Sequence, residues 1–156
     1  MTISELKTNL KPSQKINIFN REYKVIEHIV WYMAKSDASY DKYVLEDNEG
    51  KRDYRFWISG DYLGFSTIFE HDFKEPMPKK LEFEGKNYTL TQDEFCRITK
   101  TEGEEIYKVG DCEIWWDYSD DEDQTKGLSL GRNWDNWERE DLRSQSVRLV
   151  DITLIS

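Results

Sequence analysis

Five carboxylates fall within seven residues at Asp117-Tyr118-Ser119-Asp120-Asp121-Glu122-Asp123. Calcium takes several oxygen ligands, and Asp117, Asp120, Asp121 and Asp123 are the donors that one loop would offer it. The glycine and the terminal glutamate of an EF-hand loop have no counterparts at the required places, so the run does not follow that pattern. A charge run of this kind is ordinarily a solvated loop between strands; its chemical alternative is contact with a divalent cation, a polyamine or a basic peptide. Four tryptophans stand close by in sequence: Trp115, Trp116, Trp134 and Trp137. Adjacent Trp115 and Trp116 on a strand point to opposite faces, one to the core and one outward. An indole face beside carboxylates can cage an organic cation, although aromatic rings in all-β domains ordinarily serve packing. These eight residues (Trp115, Trp116, Asp117, Asp120, Asp121, Asp123, Trp134 and Trp137) form the candidate ligand site. No metal site and no cofactor is expected.

The sequence carries no catalytic constellation. Of the two histidines, His71 lies in Glu70-His71-Asp72 and His28 follows Glu27; sequence neighbours on a strand face opposite ways, so both read as surface residues. Ser66, Ser119 and Ser129 lack a GxSxG context, and Cys96 and Cys112 have neither a CxxC partner nor a nearby histidine. The two cysteines read as buried or half-buried thiols. The glycines are scattered singly, without a phosphate-binding loop.

The elements that must position the candidate site follow from pattern and composition. A chain of 156 residues with 22 basic and 32 acidic side chains carries a net charge of −10, which opposes binding to nucleic acid. Its 6 Trp, 9 Tyr and 7 Phe supply enough apolar surface to argue against disorder. Charged residues interrupt Met1–Leu10, unlike a secretory signal, and no apolar run approaches the roughly 18 residues of a membrane span. A cytoplasmic location without membrane insertion is therefore expected. Thr2 and Glu5 are spaced as a capping box and predict a helix to about Asn9, stopped by Pro12. Beyond Lys15, β-branched and aromatic residues alternate with polar ones. Tyr23, Val25, Ile29, Trp31 and Met33 share one face at period two. Strands are predicted at Ile16–Phe19, Glu22–Met33, Asp41–Glu46, Tyr54–Ser59 and Gly64–Phe69, with hairpin turns at Asn20–Arg21 and Asp47–Gly50. After Lys74-Glu75-Pro76-Met77-Pro78-Lys79-Lys80, where prolines block ladder bonding, further strands are predicted at Leu81–Glu84, Asn87–Thr91, Glu94–Thr101, Cys112–Asp117, Leu128–Asn133, Trp137–Arg143 and Val147–Leu154.

The halves on either side of this break are alike. The segment from Ile16 through Val25 aligns with that from Leu81 through Leu90 at an offset of 65 residues, placing Tyr23 on Tyr88 after equivalent hairpin turns. The order of Tyr23-Lys24-Val25, Tyr43-Val44-Leu45-Glu46-Asp47, Arg55-Phe56-Trp57-Ile58 and Phe83-Glu84-Gly85-Lys86-Asn87-Tyr88, followed by Asp117-Tyr118 and Leu128-Ser129-Leu130, resembles a bacterial family, domain of unknown function 4178. The likeness runs from about Lys15 to Arg143, and the chain departs from it at Lys42-Tyr43, where relatives tend to show Trp-Glu-Tyr. The resemblance implies an all-β bacterial protein whose relatives often occur beside polyamine-synthesis or membrane-stress genes, and it carries over no catalytic residue.

The expected fold is all-β: two related antiparallel lobes, each part of a sandwich or partly open barrel, with a short N-terminal helix. Residues 1–14 form the helix and lead-in, 15–75 the first lobe and 76–156 the second. The expected function is a non-enzymatic binding or scaffold module for a cationic ligand such as a polyamine, or for a basic protein surface. The alternatives are a hydrolase or transferase whose site assembles only in three dimensions, and an acidic immunity or antitoxin-like protein that neutralises a basic partner.

Overall fold

A computed structural model describes all residues, 1–156. The chain is all-β apart from one short helix and a single 3-10 turn. Helix α1, Ile3–Asn9, starts as its sequence predicts: the Thr2 hydroxyl accepts from the Glu5 backbone N–H and the Glu5 carboxylate accepts from that of Thr2. Eleven strands follow: β1 (Lys15–Ile18), β2 (Arg21–Met33), β3 (Ala38–Glu46), β4 (Tyr54–Ser59), β5 (Tyr62–Ile68), β6 (Lys80–Phe83), β7 (Lys86–Gly103), β8 (Cys112–Asp120), β9 (Lys126–Asn133), β10 (Arg139–Val147) and β11 (Ile152–Ile155).

The strands β2–β5 and β7–β10 form two antiparallel meanders. They meet along two seams, β2 against β7 and β5 against β10, so the sheet closes into an eight-stranded barrel. This is more specific than a sandwich or partly open barrel. Hydrogen-bonded seams join the strands that flank Pro76 and Pro78, while β1, β11 and β6 extend the sheet outside the ring. At one seam Ser66 Oγ lies 3.3 Å from Ser144 Oγ. No helix is long and apolar enough to cross a membrane.

Several predicted boundaries move. The first hairpin turns on Phe19 and Asn20, both at positive φ (51° and 64°), one residue earlier than expected. Its counterpart turns on Glu84 and Gly85, at 50° and 75°. Ile16 then faces Tyr23 in one hairpin as Leu81 faces Tyr88 in the other, and both tyrosines are buried. The two short strands expected at residues 87–101 are one long strand, β7, because its sides serve different partners in turn: β6 near its start, β2 near its end, β8 on the opposite edge. Trp137 lies before β10, in a turn where its φ is 65°.

Because side chains alternate across a strand, the barrel has an outer and an inner set. On the outer side Leu6 and Leu10 from the α1 region, together with Ile16, Ile18 and Ile152, cover Tyr43, Leu45, Phe56 and Ile58 of the first meander. The second meander is covered by Phe69, Phe73 and Met77 of the proline-containing segment, against Tyr88, Tyr118 and Leu130. Inside, the rings are too large for the barrel unless a facing strand gives way, and glycine provides the room. Trp57 lies over Gly64 and Trp115 over Gly131, each a cross-strand pair. A Cβ on Gly131 would stand 2.6 Å from the Trp115 ring.

Gly131→Ala is therefore expected to destabilise the fold by about 1–3 kcal/mol, the usual cost of overpacking, measured by urea unfolding. Unchanged stability would show that the Trp115 ring is not pinned there.

Candidate functional site

The barrel interior holds a cavity of about 380 Å³ toward the end that carries the β4–β5 and β8–β9 turns. Eight-stranded barrels have room to hold one small ligand, and this volume is of that order. Its walls include Tyr40 and Trp57 from the first meander, and Glu94, Trp115 and Asp117 from the second. The alternation of β8 turns Trp115 and Asp117 inward and leaves Trp116 on the outer face against the Tyr118 and Leu130 cluster. Asp117 is held in place from both sides: its Oδ1 accepts from Ser129 Oγ at 2.5 Å and its Oδ2 from Gln92 Nε2 at 2.7 Å. Burial raises its pKa, and the two hydrogen bonds act against that rise. Glu94 accepts from the Lys35 backbone N–H at 2.8 Å and from the Ser36 N–H at 3.2 Å, tying the β2–β3 turn to the rim. Cys96 also lines the cavity, and burial followed by the nearby Glu94 charge pushes its thiol up to about 12. It is not a thiolate at neutral pH.

The cavity floor is ionic. Lys42 is 2% exposed, and its Nζ lies 2.8 Å from Glu140 Oε1. The same oxygen is 3.0 Å from Arg55 Nε, and the Tyr107 hydroxyl donates to Oε2. Burial favours the neutral acid at Glu140, but the Lys42 and Arg55 charges outweigh it and hold its pKa below the usual carboxylate range. Around the ammonium stand three rings, with Nζ 4.6 Å from the Trp115 centroid and 5.4 Å from those of Trp31 and Tyr107. Desolvated cation–π contacts are worth roughly 2 kcal/mol or more each, and with the Glu140 ion pair they offset the several kcal/mol that burying an ammonium costs. Tyr107 is brought in by the β7–β8 loop, whose Ile106 and Tyr107 N–H groups donate to the buried Glu27 carboxylate at 2.6 and 3.0 Å. Burial raises the Glu27 pKa to about 7, against the pull of the Ile106 hydrogen bond and the Arg55 charge.

The eight sequence-predicted residues do not form one site. Trp115 and Asp117 line the cavity. Asp120 is buried, accepting from the Glu122 N–H at 2.9 Å and lying 3.5 Å from Lys86 Nζ. Asp121 accepts from Thr89 Oγ1 at 2.6 Å, and Asp123 accepts from the N–H and hydroxyl of Thr125. These three carboxylates brace the β8–β9 turn, each on its own donors, and no group of three or more His, Cys, Asp or Glu is placed to hold a metal ion. Trp134 and Trp137 are 51% and 61% exposed on the β9–β10 turn, flanking Arg132, whose guanidinium carbon is 3.7 Å from the Trp137 centroid. Both cysteine thiols are free, Cys96 buried and Cys112 half-buried.

The histidines are not surface residues. His28 stacks on Tyr43, with its Nε2 2.8 Å from Asp41 Oδ1, beneath Lys7 of α1, which also reaches Asp41. The His71 side chain is 3% exposed; its Nδ1 accepts from the Phe73 N–H and its Nε2 lies 2.9 Å from Asp141 Oδ2. The second contact is close but not aligned as a hydrogen bond, and Nε2 has no hydrogen-bond partner. Neither ring lines the cavity.

The residues that sequence reasoning missed are Lys42, Glu94, Arg55, Tyr107 and Glu140. One signal was available: Tyr40, Lys42 and Val44 share a face of β3 at period two, so a lysine stands where alternation calls for an inward residue. No family model matches the chain, and neither a curated protein nor a solved structure matches it.

Glu27 generates a pH prediction. Its folded pKa of about 7 exceeds its ordinary value of 4.5, so folding takes up a proton between them. The stabilisation is complete below the ordinary value and is lost as pH rises through the folded one. The stability of wild type relative to Glu27→Gln is expected to decline from pH 5.5 to 8, in urea melts at about half-unit steps. A difference that stays flat would contradict it.

Proposed function

We propose that this chain, whose sequence pattern resembles domain of unknown function 4178, is a non-enzymatic cytoplasmic binding module that takes a small organic cation into the barrel lumen. The observation that carries the reading is a cavity of about 380 Å³ walled by Tyr40, Trp57 and Trp115, with the inward-facing Asp117 carboxylate among them. Ring faces and a carboxylate in a half-buried pocket attract a cation together. Each Asp117 oxygen has one protein donor and a lone pair free for a ligand N–H. The ammonium of an amine would settle on Asp117, and its apolar body would lie against the rings.

The hydrolase or transferase alternative finds less support. Ser129 meets Asp117, but both histidines are committed to carboxylates outside the cavity, and the Cys96 thiol is protonated. The acidic β8–β9 turn, the sequence's other candidate for a cation or a basic protein, spends its carboxylates on internal donors.

Isothermal titration with phenethylamine tests the reading, with spermidine and sodium chloride as comparisons. Wild type is expected to bind phenethylamine more tightly than spermidine, which has no ring. The isosteric Asp117→Asn is expected to bind it at least about tenfold more weakly, in line with the loss of one charge-assisted hydrogen bond. Equal affinity in wild type and variant would overturn the proposal.

A further inference from the structure

Lys42 brings a positive charge to the lining of a cavity whose wall also carries carboxylates. Two cations, Lys42 and Arg55, share a single oxygen of Glu140, whose other oxygen is taken by Tyr107. Two further acids are buried within reach of these charges: Glu27 is turned to the backbone of the β7–β8 loop, and Glu113 feels both Lys42 and Arg55. Lys42 has three N–H donors, and Glu140 is its one carboxylate partner. The remaining directions face rings and the cavity that Lys42 helps to line. Trp31, whose ring centroid is 5.4 Å from that ammonium, leaves its buried indole N–H without any acceptor. Buried polar groups are ordinarily paired, yet the Trp31 and Trp115 indole N–H groups and the Glu113 Oε2 acceptor all lack a partner. Elsewhere in the lining, Asp117 and Glu94 both supply carboxylates.

We infer that the lumen is built for a compact aromatic zwitterion of the amino-acid type, its carboxylate inward on the Lys42 ammonium, its own ammonium on Asp117 and its ring against Trp57 and Trp115. This rests on the cation reading above and narrows it. A simple polyamine satisfies the wall but brings positive charge toward Lys42 in a low-dielectric space, where like charges repel strongly. A simple organic acid satisfies the floor but meets Asp117 and Glu94. Only a molecule with both charges matches the polarity of the cup from bottom to rim.

The test is a titration series on the intact wild-type chain at about pH 6.5, where the amine of each free-amine ligand is charged, followed by calorimetry. L-phenylalanine carries both charges, L-phenylalaninamide the ammonium alone and N-acetyl-L-phenylalanine the carboxylate alone. L-phenylalanine is expected to bind at least tenfold more tightly than either. Lys42→Met is expected to abolish its advantage over the amide, and Lys42→Arg to retain part of it; the wild-type series stands without either variant if they fail to fold. An amide that binds as tightly as the amino acid would overturn the zwitterion and leave the cation reading intact. Binding of the N-acetyl acid alone, or of none of the three, would overturn both.

Discussion

Lys42 Nζ lies among the Trp31, Tyr107 and Trp115 rings, 2.8 Å from Glu140, with its side chain 2% exposed. Removing an ammonium from water costs several kcal/mol even after the surroundings relax, so the groups around it are not free to vary. Glu140 must remain ionised, and Arg55 shares its oxygen while Tyr107 holds the other. Tyr107 reaches the network because Glu27 pins the loop that carries it. Glu27 in turn is buried, and its proton affinity rises accordingly. One desolvated cation thus accounts for a set of residues drawn from five strands or loops, and it closes one end of the barrel.

The closure has a steric counterpart. Three indoles inside an eight-stranded ring would overfill it, and Gly64 and Gly131 make space beneath Trp57 and Trp115. What the rings and the ionic floor leave unfilled is the cavity near the other end, where Asp117 is exposed to whatever enters. Stability and recognition draw on the same inward face: Trp115, one of the rings around the Lys42 ammonium, also walls the cavity. The outer surface is insulated from this chemistry by its own apolar layers, α1 with β1 and β11 over one meander and the Phe69–Met77 segment over the other.

Much of the fold was legible in the sequence because it is written locally. The Thr2–Glu5 capping box and the turns at Asn20 and Gly85 are short-range signals, and each appears close to its predicted place. The period-two face expected through Tyr23, Val25, Ile29 and Trp31 does not run on, because a β-bulge at Ile26 leaves Tyr23 and Val25 in one core cluster and turns Ile29 and Trp31 into the other. The equivalence of Tyr23 and Tyr88 could be read from their hairpins alone. Closure could not, because the seams pair β2 with β7 and β5 with β10 across 60 or more residues, and no local pattern selects those partners. The site was legible in the same uneven way. The opposed faces of adjacent tryptophans set Trp115 apart from Trp116, but Asp117, Asp120, Asp121 and Asp123 all followed from charge density, which does not say that the first lines the cavity while the others each have a donor of their own. His28 and His71 looked solvent-facing because their strands are flanked by charge; α1 and the proline-containing segment, distant or irregular in sequence, are what bury them.

The account depends most on the Lys42 ammonium being enclosed, and nitrogen-15 NMR of lysine side-chain NH₃⁺ groups at neutral pH reports on that directly. Exposed lysines exchange their protons with water too quickly to give sharp correlations, whereas an ammonium enclosed by rings and a carboxylate exchanges slowly and is shifted upfield by ring currents. The account predicts one such slowly exchanging, upfield signal, absent from Lys42→Arg. A Lys42 resonance that exchanges and shifts like the surface lysines would contradict the ionic floor and the lumen built upon it.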